Sequence, residues 1–353
     1  MREYGHGGDI YGQKNILDFS ASLNPLGMPE EIKEAVRESA ENCSPYPDPH
    51  MRRLKAVASD RMGVSQENLV FGNGASDLIF RICLALRPKV AVIEEPAFSE
   101  YQKGLELVGC HVLHHSQPRE NEFRTDAESL MGFIAATRPD MVFLGLPSNP
   151  TGTMIEKEDL IRICDCAEDA GAVVVIDRSF VHFVENKSKY FFKSEALSRK
   201  NVILLDSMTK IFAMAGLRLG YMITGNDEIV SKVENCLQPW PVSSPAEDAG
   251  IAAFEVGPGF FEETKRYVAE ERTHLESGLR MLGMEVFESQ ANYVFFRSPR
   301  DLEGLKEKGI LLRNCGNYWS LDDSYYRAAV RTHEENERLL FELYELLKEE
   351  AHG

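Results

Sequence analysis

The sequence predicts an α/β fold, with a large domain on a mainly parallel sheet and a smaller α+β domain. Three observations carry this. Apolar runs rich in Val, Ile and Leu ("NLVF", "KVAVIEEP", "DMVFLGLP", "AVVVID", "NVILLD") read as strands buried on both faces. Helical segments such as "ASDLIFRICLAL", "AFSEYQKGLELVG" and "KEDLIRICDCAEDAG" separate most of them, and such alternation marks a parallel sheet. From about residue 228 the chain changes to longer, charge-rich helices and short strands.

The opening, "GHGGDIYGQKNILDFSASLNPLGMP", is glycine-rich and then extended. A helix is expected at "PEEIKEAVRESAENC", with Pro29 at its start. The proline-punctuated "SPYPDPH" leads into a second helix. The alternating strands and helices follow. Beyond them "FFEETKRYVAEERTHLESGLRMLG" reads as a helix, "EVFES", "ANYVFFRS" and "YYRAAVRT" as strands, and "EENERLLFELYELLKEEA" as a terminal helix. The N-terminal residues also stand outside the alternation. The expected division is a large domain over 44–228 and a small one over 1–43 with 229–353.

The 353 residues carry 39 Lys and Arg against 56 Asp and Glu, a formal charge of −17. That balance repels phosphate backbones and anionic lipid, so neither nucleic acid nor membrane is an expected partner. The seven cysteines are odd in number and contain no C-x-x-C pair, which reads as free thiols in a reducing cytoplasm with no structural metal. The start has no apolar leader core, and no stretch approaches the ~20 apolar residues that span a bilayer. A cytoplasmic protein is expected.

In open α/β sheets ligands bind beyond the carboxyl ends of strands. After "NLVF" comes Gly72-Asn73-Gly74-Ala75-Ser76-Asp77, where a helix start can hold a phosphate. After "KVAVIEEP" comes Phe98, and after "DMVFLGLP" comes Ser148-Asn149-Pro150-Thr151-Gly152. Asp177 ends "AVVVID", while Ser207, Thr209, Lys210 and Arg218 follow "NVILLD". Each has a plain alternative as a cap, a turn or a solvated strand end. Together they match what pyridoxal 5′-phosphate requires. The cofactor needs a lysine for its imine, an acid for its ring nitrogen and a donor to its ring oxygen. It also needs an aromatic plane, and hydroxyls, amides and an arginine for its phosphate.

With "SNPTG", "VVVID" and "SMTKIFAMAGLRLGY" in place, nearly the whole chain resembles the fold-type I pyridoxal-phosphate enzymes, within them the histidinol-phosphate aminotransferase group. The resemblance implies the aspartate aminotransferase-like fold and a homodimer. It implies Lys210 as the cofactor-bearing lysine, Asp177 as the ring-nitrogen partner, Asn149 as the donor to the ring oxygen and Phe98 as the stacking ring. Ala75, Ser76, Ser207, Thr209 and Arg218 would hold the cofactor phosphate, joined by Tyr46 from across the dimer interface. Arg313 and Arg327 would bind substrate anions, Arg327 as the carboxylate clamp.

The N-terminal "HGGDIYG" with "LDFSASLNPLGMP" resembles the threonine-phosphate decarboxylases of cobalamin biosynthesis, which convert L-threonine O-3-phosphate to (R)-1-amino-2-propanol O-2-phosphate. On that resemblance His6 and Asn24 lie near the substrate phosphate with Arg313, and Asn149 also faces the substrate. Transamination of a histidinol-phosphate type substrate is the alternative, because both reactions share every cofactor residue. Two departures from the group stand at Arg178 and Phe180. Phe180 replaces the usual tyrosine, whose hydroxyl points at the ring oxygen, and that loss is expected to raise the imine pKa.

Overall fold

The computed structural model describes residues 5–11, 15–185, 187–190, 192–236 and 238–351. A short strand β1 (Leu17–Asp18) precedes a seven-stranded sheet. The seven are β2 (Leu69–Gly72), β3 (Val90–Glu95), β4 (His111–Ser116), β5 (Met141–Gly145), β6 (Val173–Asp177), β7 (Val202–Ser207) and β8 (Gly220–Ile223). Their spatial order is β2-β8-β7-β6-β5-β3-β4. Pairs among β3 to β7 are parallel, while β8 runs antiparallel to both neighbours. Strands β5, β6 and β7 are almost wholly buried, as their unbroken apolar runs require.

Two strands of this sheet escaped the sequence reading. β4, "HVLHHS", carries three histidines and lies at the sheet edge, where only part of it is buried. β8, "GYMI", returns from β7 through a short helix (Met208–Ile211) and a tight turn rather than a full crossover helix. The alternation rule therefore has no purchase on it.

A four-stranded antiparallel sheet follows, in the order β12-β13-β10-β9. Its strands are β9 (Glu285–Phe287), β10 (Tyr293–Arg297), β12 (Arg313–Asn314) and β13 (Tyr325–Ala329), with β11 (Ile310–Leu311) pairing parallel to β1. Phe19, Phe296, Leu275, Leu279, Leu339 and Leu343 form one buried cluster. It joins this sheet to the helices Pro258–Met281 and His333–Ala351. Next to β1, the backbone of Phe19 pairs with Leu311 and Ala329 at 2.8 Å each. That pairing carries the following residues, from Ser20 on, toward the carboxyl ends of the large sheet's strands. The helices Glu30–Glu38 and Ser244–Glu255 instead contribute Ile32, Ala246, Ala249 and Ala253 to the core of the large sheet. All seven cysteines are free thiols. Among the described residues no helix is long and apolar enough to cross a membrane.

Candidate active site

Strands β3, β5, β6 and β7 end together, and a cavity of about 330 Å³ opens beyond their carboxyl ends. Twelve of the fourteen residues singled out from the sequence line it: His6, Ala75, Ser76, Phe98, Asn149, Asp177, Ser207, Thr209, Lys210, Arg218, Arg313 and Arg327.

One end is built for a phosphate. The helix Ala75–Leu86 begins directly after Gly74, whose φ is +83°. A Cβ at Gly74 would stand 2.4 Å from Arg218 Nη2, and one at Gly220 would stand 2.5 Å from the Ala75 amide nitrogen. Both positions therefore need glycine so that the arginine and the helix N-terminus can close on one point. The helix contributes unpaired N–H groups and the positive end of its dipole. Ser207 caps the helix Met208–Ile211, its hydroxyl accepting from the Thr209 amide at 3.3 Å.

Lys210 is the third residue of that helix and is half-buried. Burial, with Arg327 and Arg218 nearby, pushes its amine down to about 8, against the pull of Asp177 and Asp18. An amine so placed is available as the neutral nucleophile near neutral pH. At the end of β6, Asp177 accepts from the Tyr101 hydroxyl at 2.7 Å and from the Ser179 hydroxyl at 2.6 Å. Burial pushes its carboxyl up, while Ser179 and Tyr101 pull it down. Such an acid is matched to a cationic partner in a dry site.

The other end is cationic. Arg313 and Arg327 are register partners on β12 and β13. Arg327 donates through Nη1 to Asn149 Oδ1 and through Nη2 to the Ser20 carbonyl at 2.7 Å. Its guanidinium stands 5.0 Å above the Tyr293 ring, and its buried Nε has no hydrogen-bond partner among the described residues. Arg313 donates to Asn317 Oδ1 and the Gly5 carbonyl, both at 2.7 Å, and stacks 5.1 Å from Tyr318. Asn149 Oδ1 also accepts from the Tyr318 hydroxyl at 3.2 Å. With its oxygen doubly engaged, Asn149 keeps its amide NH₂ for a ligand. His6 pairs with Glu100 at 2.9 Å and lies 5.7 Å from the Phe98 ring, closing the cavity from the N-terminal side.

Two of the fourteen lie elsewhere. Asn24 does not reach the cavity, contrary to the expectation. Its amide is spent on the Ile211 carbonyl at 2.8 Å and the Thr264 hydroxyl at 3.0 Å, which fastens the N-terminal segment behind Lys210. Tyr46 is 77% exposed and stacks on Trp240 at 4.1 Å, away from its own chain's cavity. The Arg178 departure now has an account. Its guanidinium turns to Asp206 at 3.0 Å, and His182 meets the same carboxylate at 3.4 Å, so its charge is spent outside the cavity. Phe180 lines the cavity edge-on to Tyr293.

Sequence reasoning missed Tyr101, Tyr293 and Tyr318. Tyr101 carried a signal, since it sits three residues past Phe98 and so faces the same side of the helix Ser99–Leu107. Tyr101→Phe keeps the ring stacked on Phe143 but removes a hydrogen bond to a buried carboxylate, worth roughly 1.5–3 kcal/mol. The variant is expected to melt lower and to hold pyridoxal phosphate at least tenfold more weakly, measured by thermal melting and equilibrium dialysis. Unchanged affinity would show that Tyr101 only packs.

The residues present fit that cofactor. They provide a helix N-terminus with an arginine for the phosphate, a buried acid, a half-buried amine and the ring of Phe98. A family model for aminotransferase class I and II matches residues 14–343. Threonine-phosphate decarboxylase of Salmonella typhimurium is 31% identical over 358 residues, covering 97% of this chain and 96% of that protein. Histidinol-phosphate aminotransferase of Desulfitobacterium hafniense is 30% identical over 354 residues, covering 96% of this chain and 94% of that protein. The crystal structure of histidinol-phosphate aminotransferase from Clostridium acetobutylicum superposes with a TM-score of 0.87 at 30% identity, covering 95% of this chain and all of that one.

Proposed function

The chain belongs to the aminotransferase class I and II family, has the aspartate aminotransferase-like fold and uses pyridoxal 5′-phosphate; within that family we propose that it decarboxylates L-threonine O-3-phosphate to (R)-1-amino-2-propanol O-2-phosphate, a step of cobalamin biosynthesis. One observation carries the reading. Two arginines on adjacent strands face one cavity, and the substrate carries two anions on either side of its amine. A substrate of the histidinol-phosphate type has a phosphate but no carboxylate.

The bound cofactor supplies an electron-accepting ring for charge that develops at the substrate's Cα. This chain's residues do the rest. Lys210 holds the cofactor, Asp177 keeps its ring nitrogen protonated, and Asn149 donates to its ring oxygen. Arg327 forks onto the substrate carboxylate, and its unpartnered Nε offers a further donor. Arg313 and His6 take the substrate phosphate. With both anions fixed, rotation about the bond from Cα to nitrogen is fixed too, which selects the Cα bond that cleaves. Positioning of this kind is worth several kcal/mol. The carboxylate leaves as CO₂, its bonding electrons stay at Cα, and Lys210 Nζ returns a proton to that carbon. The decisive assay is CO₂ release from threonine phosphate.

Transamination of a histidinol-phosphate type substrate is the second reading, favoured by the closeness of the Clostridium structure. In either case the active unit is taken to be a cytoplasmic homodimer. Tyr46, exposed and outside its own chain's cavity, would reach the cofactor phosphate of the partner. Chains with Tyr46→Ala and Lys210→Ala, each inactive alone, are expected to regain up to about a quarter of wild-type activity when co-expressed. Mixed dimers then assemble one site with both native residues. No recovery, with subunit exchange demonstrated, would assign Tyr46 to its own chain.

A further inference from the structure

Remote from the cavity, the helices Pro258–Met281 and His333–Ala351 pack side by side. His274 lies on the first, and His333 and Glu337 lie one turn apart on the second. The donor atoms of these three side chains all fall within 4.8 Å of one another. His274 Nε2 meets Glu337 Oε1 at 2.6 Å, and the two imidazole rings are 4.9 Å apart.

We propose that His274, His333 and Glu337 form a binding site for a divalent transition metal of the Zn²⁺ class. Two imidazoles and a carboxylate make a mixed nitrogen and oxygen donor set that suits Zn²⁺, Ni²⁺ or Cu²⁺ rather than Mg²⁺ or Ca²⁺. Ligands at about 2.0–2.1 Å in a tetrahedron stand about 3.4 Å from one another. The observed spread closes with small rotations of these side chains, each more than a third exposed. The fourth position opens to solvent.

The surroundings point the same way. His333 Nδ1 meets Glu271 Oε1 at 3.0 Å, and Glu271 is also held by Asn336 Nδ2 at 2.9 Å. A carboxylate on one ring nitrogen fixes the tautomer and turns the other nitrogen outward as a ligand, the arrangement found behind metal-bound histidines. The His333 amide donates to the Tyr267 hydroxyl at 3.1 Å. Tyr267, Glu271 and His274 recur at helical spacing, so one face of the first helix supplies a ligand, the brace behind another ligand and an anchor for the start of the second helix. None of these residues lines the catalytic cavity, so the ion would cross-link two helices and take no part in the chemistry.

The test uses tag-free, full-length holoenzyme, stripped with chelator and titrated with Zn²⁺ by calorimetry. One equivalent is expected to bind saturably and to raise the thermal midpoint. A His274→Ala/His333→Ala double variant is expected to lose that equivalent. Glu271→Gln, which keeps all three ligands, is expected to weaken it about 10- to 100-fold. Turnover should be the same in these variants as in the wild type. Absence of saturable binding to the wild type, or the same stoichiometry in the double variant, would overturn the proposal. An unchanged affinity in Glu271→Gln would overturn the role given to that brace.

Discussion

Lys210→Ala is expected to lower turnover by about 10²- to 10⁴-fold or more, because one residue supplies both the attachment of the cofactor and the proton returned to Cα. Borohydride treatment of the wild type should fix the cofactor to the peptide containing Lys210. The variant should retain the cofactor through its phosphate contacts yet yield no fixed adduct. A reducible adduct in Lys210→Ala would place the attachment elsewhere. The same substitution makes a second, opposite forecast for stability. Burial holds the amine at about 8 in the folded chain, below its ordinary 10.5, so the folded state binds fewer protons than the unfolded one. The resulting penalty is complete below about pH 8 and fades as pH rises toward the ordinary lysine value. Cofactor-free Lys210→Ala should therefore melt no lower than cofactor-free wild type at pH 7, and its advantage should shrink at pH 10.

Arg313→Ala is expected to cut kcat/KM for threonine phosphate roughly 30- to 4,000-fold. A charge-assisted contact to a buried anion is worth roughly 2–5 kcal/mol. Unphosphorylated threonine, a poor substrate, should be affected far less, and the affinity for pyridoxal phosphate should not change. Arg313→Lys should recover little, because Arg313 donates from Nη1 to the Asn314 carbonyl and from Nη2 to Asn317 and the Gly5 carbonyl, a spread that needs the two nitrogens of a planar guanidinium. Equal losses on phosphorylated and unphosphorylated substrates would mean that Arg313 merely fastens the N-terminal segment.

Much of this site could be read in the sequence because its parts sit where strands stop. Asn149, Asp177 and Lys210 each follow an unbroken apolar run, and the ends of buried parallel strands converge on one edge. The arginines of β12 and β13 came only through the resemblance, since nothing in their spacing tells that Arg313 and Arg327 stand opposite each other. Asn24 was misplaced because a position near the site does not fix the direction of a side chain. Its amide satisfies a carbonyl and a hydroxyl that would otherwise be buried without partners. Tyr101, Tyr293 and Tyr318 were passed over because an aromatic in a helix, a strand or a loop reads as core, and only the fold brings their hydroxyls to Asp177, Ser148 and Asn149. Arg178 stood out in the sequence only as a departure from the group, and the structure spends its charge on Asp206.

The most direct measurement of the central claim is product analysis after incubating the wild-type holoenzyme with L-threonine O-3-phosphate. With Arg327 on the carboxylate and Arg313 on the phosphate, one CO₂ and one amino alcohol phosphate are expected per substrate consumed, with the cofactor recovered as the aldehyde. Accumulation of pyridoxamine phosphate and a keto product, without CO₂, would contradict the account and make the chain an aminotransferase.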